Sequence, residues 1–214
     1  MPIGCNHRID SFGKVAPYYD TALDLITFGM YARFLRRAVE ILAPRKGERI
    51  LDLCSGTGRA ASWVAYAVGK DGEVVGMDIC ERMVEVAKAR YGKIGNVTFL
   101  EKNVTQPWDE QSHFDGILTS FALHELPETG RLGVLDQSYH ALRERGRMVI
   151  ADFNPQISGI GKDILLAFFK LFERENLNFF SFDQNEILRK TGFKKIRTFP
   201  VLGSLFLISL AHKS

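Results

Sequence analysis

Short apolar runs alternate with stretches of helical spacing over the first two-thirds of the chain. The runs "ERILDLC" (48–54), "DGEVVGMDI" (71–79), "NVTFLEKNV" (96–104), "FDGILTSFAL" (114–123) and "RMVIADF" (147–153) predict five strands. Between and before them lie helical patterns. In "TFGMYARFLRRAVEILA" (27–43), Phe28, Tyr31, Phe34, Leu35, Val39 and Leu42 share a stripe, and Pro44 and Gly47 stop it. "GRAASWVAYAVG" should end at Gly69 and "ERMVEVAKARYG" at Gly92, and "GRLGVLDQSYHALRER" (130–145) should lead into the fifth strand. Strands alternating with helices of this length predict a parallel, doubly wound sheet.

The pattern changes after the fifth strand. "DILLAFFKLFERENLNFFSF" (163–182) is rich in Phe with few turn formers. "SFDQNEILRKTGF" predicts a helix capped by Ser181 or Asp183 and ended by Gly192. "KKIRTFPVLGSLFLISLAH" then gives two strands joined by a Gly-Ser turn, which must pair antiparallel. The expected architecture is a single α/β domain: a mostly parallel sheet of about seven strands with a C-terminal hairpin and helices on both faces. Its expected parts are a helical cap (1–45), a ligand-binding core (46–153), a lid (154–185) and a C-terminal helix with hairpin (186–214).

Composition narrows the function classes. The chain has 214 residues, enough for a full core, and a net charge of +3 from 28 basic and 25 acidic residues. That balance argues against nucleic acid as a partner. Three separated cysteines without a CxxC pair argue against a zinc site and fit a reducing cytoplasm. The start lacks the apolar core of a signal peptide. The longest charge-free stretch, "TFPVLGSLFLISLA", is shorter than the roughly 20 residues of a spanning helix. The basic "RKTGFKKIR" (189–197) reads as a solvated face or an attraction for an anionic surface.

Chemistry concentrates in "RILDLCSGTGRAASW" (49–63). An apolar strand ends there on Cys54, Ser55, Gly56, Thr57 and Gly58, and a helix follows. In doubly wound sheets ligands bind at the carboxyl ends of strands. Glycines allow close backbone approach, and amides at a helix start donate hydrogen bonds. Cysteine favours ordinary backbone angles, so position 54 is not expected to need positive φ, and Cys54 reads as a small loop residue rather than a nucleophile. Gly56-Thr57-Gly58-Arg59-Ala60-Ala61 fits the dinucleotide fingerprint G-x-G-x-x-A, with Asp78 spaced to hold a ribose. Asp52 points elsewhere. A carboxylate just before the loop repels a pyrophosphate but suits a cationic amino group. S-adenosylmethionine carries an ammonium, a sulfonium and no phosphate.

"ILDLCSGTG" resembles the first motif of the class I S-adenosylmethionine-dependent methyltransferases, a Rossmann-like family, with Cys54 in place of its usual first glycine. The resemblance implies that Asp52 and residues 54–58 line the methionine half of the cofactor. "VVGMDICERMVEVAKAR" is similar to the second motif. There Asp78 would take both ribose hydroxyls, and Ile79 and Met83 would flank the adenine. "LEKNVTQPW" resembles the third, with Asn103 in place of an acid that commonly accepts from the adenine amino group; Val104 adjoins it. "FDGILTSFALHELPE" resembles the fourth, which implies that Ser120 borders the cofactor and that the following residues lie beneath the transferring methyl group. "ALRERGRMVIADF" is like a turn and fifth strand in which Glu144 and Arg145 replace the usual residues.

The lead-in "FGKVAPYYD" resembles that of the ubiquinone and menaquinone C-methyltransferases, matching at Val15, Ala16, Tyr19 and Asp20. It implies that Tyr19 closes over the methionine end of the cofactor. Those enzymes usually carry an asparagine-containing stretch after strand four, where this chain has "ALHELPE". His124 is the candidate for positioning or deprotonating an acceptor; its alternative is a structural bond to backbone. Tyr18, Phe153, Phe168 and Phe172 are candidate acceptor contacts, the last two in a Phe-rich segment that reads equally as lid, core or interface. The expected function is methyl transfer to a small, apolar or quinone-like acceptor, giving S-adenosylhomocysteine. The expected protein is a cytoplasmic monomer or homodimer with peripheral membrane contact at most and no metal. The alternatives are a non-catalytic cofactor-binding or regulatory protein and an NAD-dependent oxidoreductase.

Overall fold

The computed structural model describes residues 15–108, 113–159, 162–163, 166 and 183–214. Most of the predicted lid, with Phe168 and Phe172, lies outside the described residues, as does Ser181. The chain divides into two compact units, the first ending at Gln106 and the second starting at Pro107.

The first unit contains α1 (Tyr19–Ile26), α2 (Met30–Leu42), β1 (Arg49–Leu53), α3 (Arg59–Val68), β2 (Glu73–Asp78), α4 (Glu81–Tyr91) and β3 (Val97–Glu101). β1 pairs parallel with β2, and β2 with β3. Four of the five β1 residues are buried, as a strand covered on both faces requires. α2 buries Phe34, Leu35, Ala38, Val39 and Leu42, the stripe its spacing predicts. Phe28 does not join that stripe. Thr27, Phe28 and Gly29 break the helix, with φ of +51° at Phe28 and +74° at Gly29, and Phe28 is 86% exposed. α3 ends at Gly69 and α4 at Gly92, as predicted.

The second unit contains β4 (Phe114–Ser120), α5 (Glu128–Ala141), β5 (Leu142–Phe153), α6 (Gln184–Lys190), β6 (Lys194–Val201) and β7 (Phe206–His212). α5 stops at Ala141, short of the predicted end, because residues 142–146 already belong to β5. Phe114 pairs with Leu142 and Gly116 with Arg147, so a bulge absorbs the extra residues. Arg145 there has φ +62°, and a Cβ on Gly146 would lie 2.8 Å from the Arg143 carbonyl. Asp183 caps α6 by accepting from the Asn185 and Glu186 amides at 2.9 and 3.0 Å. β7 runs antiparallel to both β5 and β6, the predicted hairpin at the sheet edge.

Candidate cofactor site and acceptor cluster

In the first unit the loop 54–58 leaves β1 and starts α3. The Ser55 amide donates to the Met77 carbonyl and the Gly58 amide to the Ser55 carbonyl, both at 2.9 Å. This closure forces positive φ on Cys54 (+55°), Gly56 (+53°) and Gly58 (+79°). Cys54 therefore departs from the ordinary angles expected of a cysteine: it occupies a glycine-type position as an L-residue. The two glycines differ in purpose. A Cβ on Gly58 would lie 2.7 Å from the Phe99 ring, so Gly58 permits close packing. A Cβ on Gly56 would meet nothing within 4 Å, so Gly56 presents bare backbone to open space.

Asp52 is 1% exposed, and apart from the Ala61 amide its carboxylate oxygens have no polar partner among the described residues. Burial, and then the neighbouring Asp78 carboxylate, push its pKa up to about 8; the Ala61 amide offsets this only in part. The Ser55 hydroxyl is buried without a partner among the described residues. Orphaned buried acceptors are rare in folded proteins. An ammonium group seated against Asp52 would satisfy both oxygens and return the carboxyl to its charged form. S-adenosylmethionine fits these residues on that count.

Asp78 at the end of β2 is committed to backbone as well. Oδ2 accepts from the Gly56 amide at 2.7 Å and Oδ1 from the Cys80 amide at 2.9 Å. Burial raises its pKa despite these amide bonds. It does not cap α4, a place taken by Cys80. Each carboxylate oxygen keeps a second acceptor site, so ribose hydroxyls can still be bound. Asn103 turns its side-chain oxygen onto the Thr105 amide (3.0 Å) and hydroxyl (2.8 Å), which makes it a turn-forming residue first. Val104 is buried and Ile79 half-buried. Met83 packs with Ala16, Cys80, Tyr19 and Val86.

Tyr19 thus rests on the start of α4, with its ring 6.3 Å from that of Tyr31. Tyr18 is 72% exposed and stands apart from that cluster. Sequence reasoning noted Asp20 only as a motif match; the structure gives it work. Asp20 is 2% exposed, accepts from the Thr57 hydroxyl at 2.7 Å and pairs with Arg90 at 2.6 Å and Arg59 at 3.5 Å. Arg90 also donates to the Pro17 carbonyl at 2.6 Å, and Arg59 to Asp24 at 2.8 Å. Asp20 of the lead-in motif is therefore a clamp between α1 and the glycine loop. Thr57 spends its hydroxyl on that clamp.

In the second unit, His124 lies just past β4 and Asp152 near the end of β5, both at carboxyl ends of strands. His124 is 2% exposed; its Nδ1–H donates to Asp152 Oδ1 at 2.7 Å and its backbone amide to Oδ2 at 3.1 Å. A carboxylate can only accept, so the contact with Asp152 places a proton on His124 Nδ1 and fixes the orientation of the ring. Arg131, buried nearby, donates from Nε to the Leu123 carbonyl at 2.8 Å, and burial lowers its pKa. Phe153 stands edge-on to His124 at 4.8 Å, and Phe121 and Phe206 pack in turn on Phe153 at 5.6 and 5.3 Å. Phe121 holds φ +49°. Ser120 is half-buried at the strand end. Asp152 and Phe206 escaped sequence reasoning; Asp152 sits inside the apolar run "VIADF", where an acid demands a partner.

The ubiE/COQ5 methyltransferase family matches residues 6–200. The chain is 32% identical over 157 residues to the ubiquinone/menaquinone biosynthesis C-methyltransferase UbiE of Erwinia tasmaniensis, across 72% of this chain and 62% of that protein. It is 33% identical over 146 residues to UbiE of Photorhabdus laumondii, across 67% of this chain and 57% of that one. It thus spans under two-thirds of the length of these curated relatives. Among solved structures, it is similar in fold to a SAM-dependent methyltransferase from Aquifex aeolicus (TM-score 0.62, 20% identity, 84% of this chain and 89% of that one). It is also similar in fold to a TehB-like SAM-dependent methyltransferase from Corynebacterium glutamicum (TM-score 0.63, 20% identity, 92% of this chain and 100% of that one).

Proposed function

Because the chain belongs to the ubiE/COQ5 methyltransferase family, we propose that it transfers a methyl group from S-adenosylmethionine to a ring carbon of an apolar, hydroquinone-like acceptor. The observation that carries the cofactor half is Asp52, a buried carboxylate with no charged partner, four residues before a glycine that opens onto free space. Asp78 supplies the ribose acceptor and holds Gly56 in place. The regulatory and NAD-dependent alternatives draw no support from the family match.

When bound, S-adenosylmethionine supplies an electrophilic methyl group on a cationic sulfur leaving group. The chain's residues bind and orient, and take up a proton. A ring carbon that gains a methyl must lose its hydrogen as H⁺. His124 is the base assigned to that proton, with Asp152 orienting its ring and holding the imidazolium that forms. Phe153 against His124, extended by Phe121 and Phe206, gives an aromatic cluster suited to an acceptor ring.

The test offers methyl-labelled S-adenosylmethionine and a panel of hydroquinones, phenols, amines and thiols to the purified protein. The expected product is a hydroquinone heavier by one methyl on carbon. Transfer confined to an amine or thiol would overturn the acceptor assignment. Failure to bind S-adenosylhomocysteine by calorimetry would overturn the cofactor assignment. His124→Ala should lower kcat by about 10²–10⁴-fold while cofactor-product affinity stays unchanged.

A further inference from the structure

The corner between α1 and α2 displays apolar side chains where solvent should discourage them. Phe28 is 86% exposed, Ile26 73%, Tyr18 72%, Leu25 71% and Met30 38%. Residues 18, 22, 25 and 26 fall on one helical face, and the opposite face turns Asp20 inward to Thr57, Arg59 and Arg90. The corner itself is well bonded. The Gly29 amide donates to the Asp24 carbonyl at 2.7 Å, the Thr27 hydroxyl to the Leu23 carbonyl at 2.6 Å, and the Tyr31 amide to the Thr27 hydroxyl at 3.1 Å. Phe28 is therefore held outward on a fixed turn, in a left-handed conformation that an aromatic residue rarely adopts.

Charge selects the occupant of this face. The first turns of α2 carry Arg33, Arg36 and Arg37 against one acid, Glu40, which pairs with Arg37, while Asp20 and Asp24 of α1 are paired with Arg59 and Arg90. Arg33, Arg36 and Arg37 are exposed within two turns of Met30. A second copy of the chain fits poorly, because a two-fold contact over this face would bring like charges together. An anionic lipid surface fits both features: apolar residues enter the acyl boundary by about 5–10 Å and arginines meet the headgroups.

We propose that the α1–α2 corner is a membrane-surface anchor, inserting Leu25, Ile26 and Phe28 into an anionic bilayer beneath a collar of Arg33, Arg36 and Arg37. The anchoring readout needs no methyl acceptor, so it stands or falls apart from the acceptor proposed above.

The full chain is sedimented with vesicles of phosphatidylcholine alone and of an equal mixture with phosphatidylglycerol. Binding to the mixed vesicles that weakens with added salt is expected, with little binding to the neutral ones. Phe28→Asn should lower the partition coefficient about tenfold or more, since asparagine tolerates the left-handed turn but cannot insert. Its melting temperature and S-adenosylhomocysteine affinity should match the parent, which separates lost anchoring from lost folding. The pair Arg33→Glu and Arg37→Glu should abolish the preference for anionic vesicles. Phe28→Trp should bind, with its emission shifting to the blue on vesicle addition. Absence of vesicle binding by the parent, or equal binding by Phe28→Asn, would overturn the proposal. A parent dimer that Phe28→Asn converts to monomer, without vesicle binding, would reassign the face to self-association.

Discussion

Cys54 holds a backbone conformation that costs an L-residue about 1–2 kcal/mol and glycine almost nothing. Cys54→Gly should therefore stabilise the protein by about 0.5–1 kcal/mol, after subtracting the greater chain entropy glycine loses on folding. For a chain of this size the melting temperature should rise by about 1–4 °C in a calorimetric scan. Cys54→Val should shift it down, because a β-branched side chain tolerates positive φ less well. A lower melting temperature for the glycine variant would mean that the thiol's own contacts outweigh the strain. The same physics limited what could be read at Phe28 and Arg145. Both have positive φ, and hydrophobic spacing carries no signal for a non-glycine residue that closing a turn forces into that region.

At the scale of elements, α1 is a short helix whose outward face is apolar, so its position depends on polar contacts. Asp20 supplies them, receiving Thr57, Arg90 and Arg59 while 2% exposed. Asp20→Asn keeps a hydrogen-bond acceptor for Thr57 but leaves Arg90 without its charge partner and Arg59 with Asp24 alone. It should destabilise the protein by about 1–3 kcal/mol. It should also raise the dissociation constant for S-adenosylhomocysteine, because the loop bearing Gly56 loses its brace. Thr57→Val removes one bond and should give a smaller effect in the same direction. Cofactor-product affinity unchanged in both variants would reduce the clamp to a stability device. The strands around this clamp were legible because each is an apolar run bounded by turn formers. The clamp was not, since its partners lie 37 and 70 residues apart in sequence and no periodicity links them. The Asp152–His124 pair was hidden for the same reason, with only the acid inside an apolar run as a local sign.

Across the whole molecule, the buried carboxylate couples stability and cofactor affinity to pH. Asp52 has a folded pKa of about 8 against an ordinary value of 3.8. Between those values the folded, ligand-free chain binds one proton more than the unfolded chain. Its stability therefore falls as pH rises across that window, by at most about 1.4 kcal/mol per pH unit. Asp78, also raised, adds in the same direction. An ammonium against Asp52 favours the charged carboxylate, so binding below pH 8 must expel a proton. Apparent affinity for S-adenosylhomocysteine, which keeps the amino group, should rise by up to about tenfold per pH unit between pH 6 and 8. Calorimetry in two buffers of different ionisation enthalpy counts that proton directly. The parent should release close to one proton near pH 6.5, and Asp52→Asn should release far less, with a shallower fall of stability from pH 5 to 8. Equal release by both proteins would place the titrating group at Asp78 and remove Asp52 from contact with the ligand's charge. Loss of the proton signal only in Asp52→Asn would tie this buried acid at the end of β1 to the one cationic group that the cofactor and its product share.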